Sequence, residues 1–215
     1  MVRTLGWLSS AALALGLVMA FGVAPREVSQ GNVQRIMYVH PPLAWVAYLA
    51  FGVVAAGSIA YLVRRAPGAD RLAHASAEVG VLFTGLAIAT GSIWGKPTWG
   101  TWWTWDARLT SVAILFVMYL GYLLLRGTVE DRERAARYCA VLGIVAALDM
   151  PLVHFSVYWW RTLHQPPSLM KPGGFTGSAA ILWPLLVNLA AFTVLYAYLV
   201  AKRVRLLRAE AEALA

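Results

Sequence analysis

Six runs of apolar residues, each about as long as a bilayer is thick, constrain this chain more than any other feature. They fall at Leu5–Val23, Pro41–Val63, Leu72–Trp94, Leu109–Leu125, Tyr138–Trp160 and Ser178–Ala201. A helix crossing the hydrocarbon core needs roughly 20 mainly apolar residues. With no water at that depth, an isolated segment satisfies its backbone only as a helix. The composition agrees: 60% of the 215 residues are hydrophobic and 13% charged, against about 45–50% and about 25% in soluble domains. The pattern excludes a disordered chain and an ordinary soluble enzyme. It predicts an all-α fold, a polytopic membrane bundle of six transmembrane helices forming one domain over residues 1–215. The run at Leu109–Leu125 is the shortest and is expected to begin within the preceding loop. The first run follows Arg3 and is longer than the roughly 7–15 apolar residues of a signal-peptide core. Pro25 follows its small-residue end, so it is read as a retained helix. Gly52, Gly57, Gly80, Gly85 and Gly91 permit close helix packing.

Charge then orients the bundle. The net charge is +8, which in a soluble protein would suggest nucleic acid. Here twelve of the eighteen Lys and Arg residues fall at the two termini and in the loops after the second and fourth runs. The other six are Arg26, Arg35, Lys96, Arg108, Arg161 and Lys171. Cytoplasmic loops carry the excess of basic residues, so both termini are expected in the cytoplasm and no nucleic acid is needed. Three loops then face outward: Ala24–His40, Gly95–Arg108 and Arg161–Gly177. Cys139 is the sole cysteine, so the chain has no internal disulfide and no covalent c-type haem motif.

The outward side gathers the chemistry. His40 opens the second run, His154 lies in the last two turns of the fifth and His164 in the loop beyond; only His74 is cytoplasmic. Nine of ten tryptophans also sort outward, Trp7 being the exception. A lipid-interface belt would populate both sides. Five tryptophans crowd into Trp94–Trp105, where Gly95, Pro97 and Gly100 are expected to break the helix. Rigid, flat, apolar side chains on such a loop form a platform for a large planar ligand.

Pro41 and Pro42 suit a first helical turn and would hold His40 at the helix mouth, where the dipole disfavours imidazolium. Pro151 is expected to kink the fifth span one turn before His154. Two histidines at matching depth beside an aromatic wall suit a six-coordinate haem, with His40 and His154 on iron. Zinc normally takes more ligands; His164 would be a third, which leaves zinc open. Arg35, Lys96, Arg108 and Arg161 are cations able to meet haem propionates, or simply interfacial anchors. Asp149 and Glu78 are acids within spans, where charge is costly; no role is assigned to either.

The run WGKPTWGTWWTWDARLTS at Trp94–Ser111 resembles the tryptophan-rich WWD signature of haem-handling membrane proteins. With RIMYVHPP around His40 and PLVHFSVYWWRTLHQ from Pro151 to Gln165, the chain resembles the haem exporter protein C family of the cytochrome c maturation system over nearly its whole length. The resemblance implies non-covalent haem b held at the outer face by His40 and His154. Trp99, Trp102, Trp103 and Trp105 would wall the macrocycle, and Asp106 and Arg108 would order the loop or meet a propionate. It implies delivery to a membrane-anchored haem chaperone. Further implied partners are an ABC ATPase, a second membrane subunit and a small single-span subunit. The chain departs from the family at Asp149, where a neutral residue is expected.

No phosphate-binding loop, nucleophile–base pair or carboxylate pair is present, so the expectation is a haem delivery protein and not an enzyme. Two rivals stand beside it. One is a b-type haem redox subunit exchanging electrons with quinone, although such haems often lie deep in a helical core. The other is a scaffold or permease without haem.

Overall fold

The structure, a computed structural model, describes residues 2–166, 175 and 177–213; Lys171 lies outside them. Seven helices follow one another: α1 (Val2–Val18), α2 (His40–Arg64), α3 (Pro67–Trp99), α4 (Ala107–Thr128), α5 (Arg132–Ala147), α6 (Asp149–Trp159) and α7 (Ala179–Glu212). A π-helical turn, Met19–Val23, continues α1, and a 3-10 turn, Val33–Tyr38, precedes α2. Six helical stretches are long and apolar enough to cross a membrane, α5 and α6 together forming the fifth. The chain is thus an all-α, multi-pass membrane protein.

Small residues set the packing. In α2 and α3, which run antiparallel, a methyl at Gly57 would lie 3.1 Å from Ala73 Cβ, one at Gly80 2.6 Å from the Phe51 ring, and one at Gly91 3.0 Å from His40 Cε1. That register places His40 beside Ala87, Thr90 and Gly91 of α3, about two to three turns before its end. Similarly Gly6 faces Tyr198 and Gly16 faces Asn188, and Asn188 Nδ2 donates to the Gly16 carbonyl at 3.0 Å. Hence α1 and α7 are antiparallel, and both chain ends lie on one face of the bundle, here termed the terminal face. The opposite, loop face carries the tryptophan run. At the centre Phe51 stacks on Tyr119 with ring centroids 3.7 Å apart, and Tyr119 donates to the Gly143 carbonyl of α5 at 3.2 Å.

Two boundaries differ from the sequence expectation. The third helix does not break at Gly95 or Pro97; it runs on to Trp99 and ends at Gly100, which adopts φ 79°. Proline removes one hydrogen bond, to Ile93, and near a helix end that loss is tolerable. Thr98 Oγ1 bonds the Trp94 carbonyl at 2.8 Å and Lys96 Nζ the Gly100 carbonyl at 3.0 Å, which ties the last turn. Trp94 and Trp99 are therefore helical, and only Trp102, Trp103 and Trp105 belong to the loop. The fifth span is interrupted at Leu148, between α5 and α6, three residues before the proline expected to kink it. A proline ring clashes with the carbonyl four residues earlier, which for Pro151 is that of Ala147, the last residue of α5.

Two ion pairs tie helices together at the terminal face. Arg126 of α4 makes a two-pronged ion pair with Asp70 of α3. Glu78 of α3 accepts from Arg203 of α7 and lies 3.2 Å from His74. Glu78 is thus a helix-packing contact, joining α3 to α7.

Candidate functional site

A cavity opens on the loop face between α2, α3, the tryptophan loop, α4, α6 and the segment after α6. From α2, His40, Ala44 and Tyr48 project into it at successive turns, and from α3 Ala87, Gly91 and Gly95 do the same. The small α3 residues make room for the larger α2 side chains. A methyl at Gly95 would meet the Trp99 ring at 3.1 Å, so glycine there lets the ring lie against its own helix. Trp94, Trp99, Trp102 and Trp103 line the cavity, as does Arg108.

His40 is the first residue of α2, with prolines in the first turn behind it. Its Nδ1 lies 3.1 Å from the Ala87 carbonyl and 3.2 Å from Thr90 Oγ1. A carbonyl only accepts, so Nδ1 carries the proton and Nε2 keeps the lone pair of the neutral ring. Trp94 meets the ring edge-on at 5.8 Å, and Trp94 Nε1 donates to Gln30 Oε1 at 2.9 Å.

His164 lines the same cavity. Its Nδ1 lies 2.9 Å from the Gln165 carbonyl, which again leaves Nε2 free to coordinate. Burial lowers its pKa to about 4; the Arg108 charge acts in the same sense, and the hydrogen bond to Gln165 and the Asp106 charge oppose it. The ring is neutral at physiological pH. Trp99 approaches it at 6.0 Å.

His154, the expected partner of His40, does not line the cavity. Its neighbours Val153 and Ser156 are the buried positions of α6, and Val153 takes the place on the cavity wall. The ring of His154 lies instead against Phe155, centroids 5.0 Å apart. The structure therefore brings His40 together with His164, and not with His154.

The other expected residues divide in the same way. Trp99, Trp102, Trp103 and Arg108 line the cavity, whereas Trp105 and Asp106 do not. Trp105 packs edge-on against Trp103 at 5.5 Å and is largely exposed. Asp106 caps α4, Oδ1 accepting from Leu109 N–H at 2.9 Å. Its Oδ2 accepts from Leu163 N–H at 3.1 Å, so one carboxylate fastens the tryptophan loop to the segment that bears His164. Of the four cations considered for propionates, Arg35 and Lys96 are engaged elsewhere. Arg35 clasps the carbonyls of Ala20, Phe21 and Ala24 at 2.7–3.1 Å, closing the end of the π turn, and Lys96 holds Gly100. Arg108 is the one aimed at the cavity, its Nη1 reaching the Val153 carbonyl at 3.4 Å.

Gln30, Tyr48 and Gln165 were not singled out from sequence. Tyr48 had a usable signal, since it follows His40 by eight residues and shares its helix face. Tyr48 OH and Trp103 Nε1 are buried without a hydrogen-bond partner among the described residues, which is rare in native proteins and calls for an explanation such as a ligand. Both line the cavity, whose walls are otherwise mainly apolar. An apolar, planar group with acidic substituents fits: aromatic rings for the plane, Arg108 for a carboxylate, two histidine Nε2 atoms for a metal. Among the described residues no three His, Cys, Asp or Glu side chains gather as a zinc ion would require. The enclosed volume is about 130 Å³, below the roughly 300–1,000 Å³ of sites that engulf a drug-sized ligand. A large planar ligand would therefore be gripped with an edge outside.

Comparison with known proteins gives one consistent result. The family model described as Heme exporter protein C matches residues 1–214. Heme exporter protein C of Bradyrhizobium diazoefficiens is 48% identical over 211 residues, 96% of this chain and 80% of that protein. The Haemophilus influenzae protein of the same name is 42% identical over 194 residues, 90% of this chain and 79% of its own. That of Escherichia coli K12 is 38% identical over 202 residues, 93% and 81%. The chain belongs to the haem exporter protein C family.

Proposed function

We propose that this protein holds haem b non-covalently at the loop face, between His40 and His164, for the biogenesis of c-type cytochromes. The observation that carries the reading is the convergence of two neutral histidines, from distant parts of the chain, on one tryptophan-walled cavity. The family supports haem as the cargo, and a relative in Arabidopsis thaliana is named a ccmC-like mitochondrial protein of cytochrome c biosynthesis. Trp99, Trp102 and Trp103 lie along the macrocycle, Arg108 meets a propionate, and Asp106 orders the loop without touching haem. Tyr48 OH and Trp103 Nε1 gain partners on the cargo or its water.

The basic excess at the terminal face supports a cytoplasmic terminal face and an outward-facing cavity. Incomplete enclosure suits delivery: a membrane-anchored haem chaperone reaches the free edge, and its own ligand displaces one histidine. An ABC ATPase, a second membrane subunit and a small single-span subunit complete the system. The chain itself works as one domain that grips and releases, without catalysis. A redox subunit would gain from full enclosure of its haem, which this shallow cavity does not offer.

The test is the absorption spectrum of the detergent-purified protein, oxidised and reduced, with His40, His164 and His154 each changed to Ala. We expect a six-coordinate low-spin haem in the wild type and after His154→Ala. In His40→Ala and His164→Ala haem occupancy should drop by more than the ~10–100-fold typical of losing an outer-shell partner. A wild-type spectrum in His164→Ala, or its loss in His154→Ala alone, would overturn the pairing. A wild type that takes up no haem when haem is ample would overturn the function.

A further inference from the structure

A second cavity, of about 600 Å³, lies on the terminal face among the ends of α2, α3, α4, α5 and α7. Its wall includes Tyr61, Ala135, Ala136 and Leu207, and its rim carries Arg65, Arg71, Arg126 and Arg132. Three carboxylates also reach it, and each is already engaged. Asp70 is bound by Arg126, Glu133 lies 3.7 Å from Arg137 and Glu210 lies 3.0 Å from Arg203. Arg65, Arg71 and Arg132 have no carboxylate within ion-pair distance among the described residues. The cavity therefore presents three uncompensated guanidinium groups above an apolar floor. Arg65 ends α2 in the left-handed region at φ 53°, with its guanidinium 5.8 Å from the Tyr61 ring centroid.

Depth limits the ligand. Helix α7 has 34 residues, about 50 Å at 1.5 Å per residue, against a hydrocarbon core of about 30 Å. Its last turns extend past the apolar region, and there Leu207 and Ala211 form one wall of the cavity. The cavity thus sits at headgroup level, where a ligand with a phosphate and an acyl chain satisfies rim and floor together. Basic pockets between helix ends hold anionic lipid headgroups for this reason, and guanidinium matches phosphate in two-pronged geometry.

We propose that this cavity binds the phosphate headgroup of an anionic phospholipid through Arg65, Arg71 and Arg132. The lipid joins the α2–α3 turn to the start of α5 and to the projecting end of α7. This site is separate from the loop-face cavity and does not depend on the haem reading.

The experiment uses the full chain purified in a neutral detergent and read by native mass spectrometry. Phosphatidylglycerol, phosphatidylcholine and inorganic phosphate are added in parallel. The variants are the triple Arg65→Gln/Arg71→Gln/Arg132→Gln, the cavity-filling Leu207→Trp, and the control Arg134→Gln/Arg205→Gln, whose residues are exposed on the same face outside the cavity. We expect a retained phosphatidylglycerol adduct in the wild type and the control, and at least a tenfold drop in its occupancy in the triple variant. Leu207→Trp should lose the adduct with every arginine in place, which keeps the test open if the triple variant misfolds. Equal retention of phosphatidylcholine, displacement of the lipid by inorganic phosphate, or an equal loss in the control would overturn the proposal. So would an adduct that survives Leu207→Trp.

Discussion

The two ends of this bundle treat buried polarity in opposite ways. At the terminal face, Asp70 and Arg126 are tucked between α3 and α4, with only 14% and 16% of their side chains exposed, and they satisfy one another. At the loop face, Tyr48 OH and Trp103 Nε1 are buried and have no partner among the described residues. Breaking a buried pair is costly because the survivor keeps its charge, so the first arrangement fastens helices. An unpaired buried donor is a standing cost that a ligand or its water removes, so the second arrangement holds a place open. The contrast separates residues that keep the bundle together from residues that serve its cargo.

The contrast breaks if stability variants behave as site variants. Asp70→Asn leaves Arg126 charged and half-paired, and should destabilise the protein by about 3 kcal/mol. The thermal midpoint of unfolding in detergent would register this, while the spectrum of bound haem should stay as in the wild type. A changed spectrum would show the two ends to be coupled. Asp106→Ala sharpens the boundary, because Asp106 belongs to both roles. Loss of the α4 cap should cost about 1 kcal/mol, and loss of the Leu163 bond should also lower haem occupancy.

A smaller effect is expected from Gly91→Ala. The new methyl would lie 3.0 Å from His40 Cε1, so the ring must give by a few tenths of an ångström. The gain in helix propensity offsets some of the crowding, leaving stability within about 1 kcal/mol of wild type. The haem absorption bands should nonetheless shift; unchanged bands would argue that His40 is not at the iron.

The smallest effect concerns pH at the terminal face. Asp131 caps α5, and the Arg134 N–H holds its carboxyl below the usual carboxylate range. A depressed folded value means that the cap is fully effective above the ordinary value of 3.8 and is lost as pH falls through the folded one. Asp131→Asn keeps a capping oxygen without the titration. The stability difference between the two proteins should change with pH only at the acidic end and stay constant toward neutrality; a difference that varies around neutral pH would contradict this account.

How far the sequence could be read follows from what each segment encodes locally. The six spans were legible because a membrane imposes length and composition on each one separately. Their ends were less so: whether Pro97 stops a helix depends on how near the end it lies, and the break before Pro151 falls at the carbonyl its ring displaces. The histidine pair shows the sharper limit. Depth along the membrane can be counted from residue numbers, and by depth His154 matched His40. Direction around a helix cannot be counted when the helix is apolar on every side, because no polar stripe marks the face turned inward. In α6 the inward positions are Val153 and Ser156, which carries His154 away. His164 lay in a segment whose path is set by a tertiary contact, the bond from Leu163 to Asp106, which no local pattern announces.

That contact gives the two histidines unequal mechanical standing. His40 is built into the rigid start of a 25-residue helix, braced by prolines and wedged against α3. His164 lies in the irregular segment that follows α6, moored to the tryptophan loop by the carboxylate of Asp106. A tug at the loop face would draw that segment away while the helix stood still. On the proposed pairing, one hand is an anvil and the other a latch, and the latch is the one that a partner at the loop face would lift.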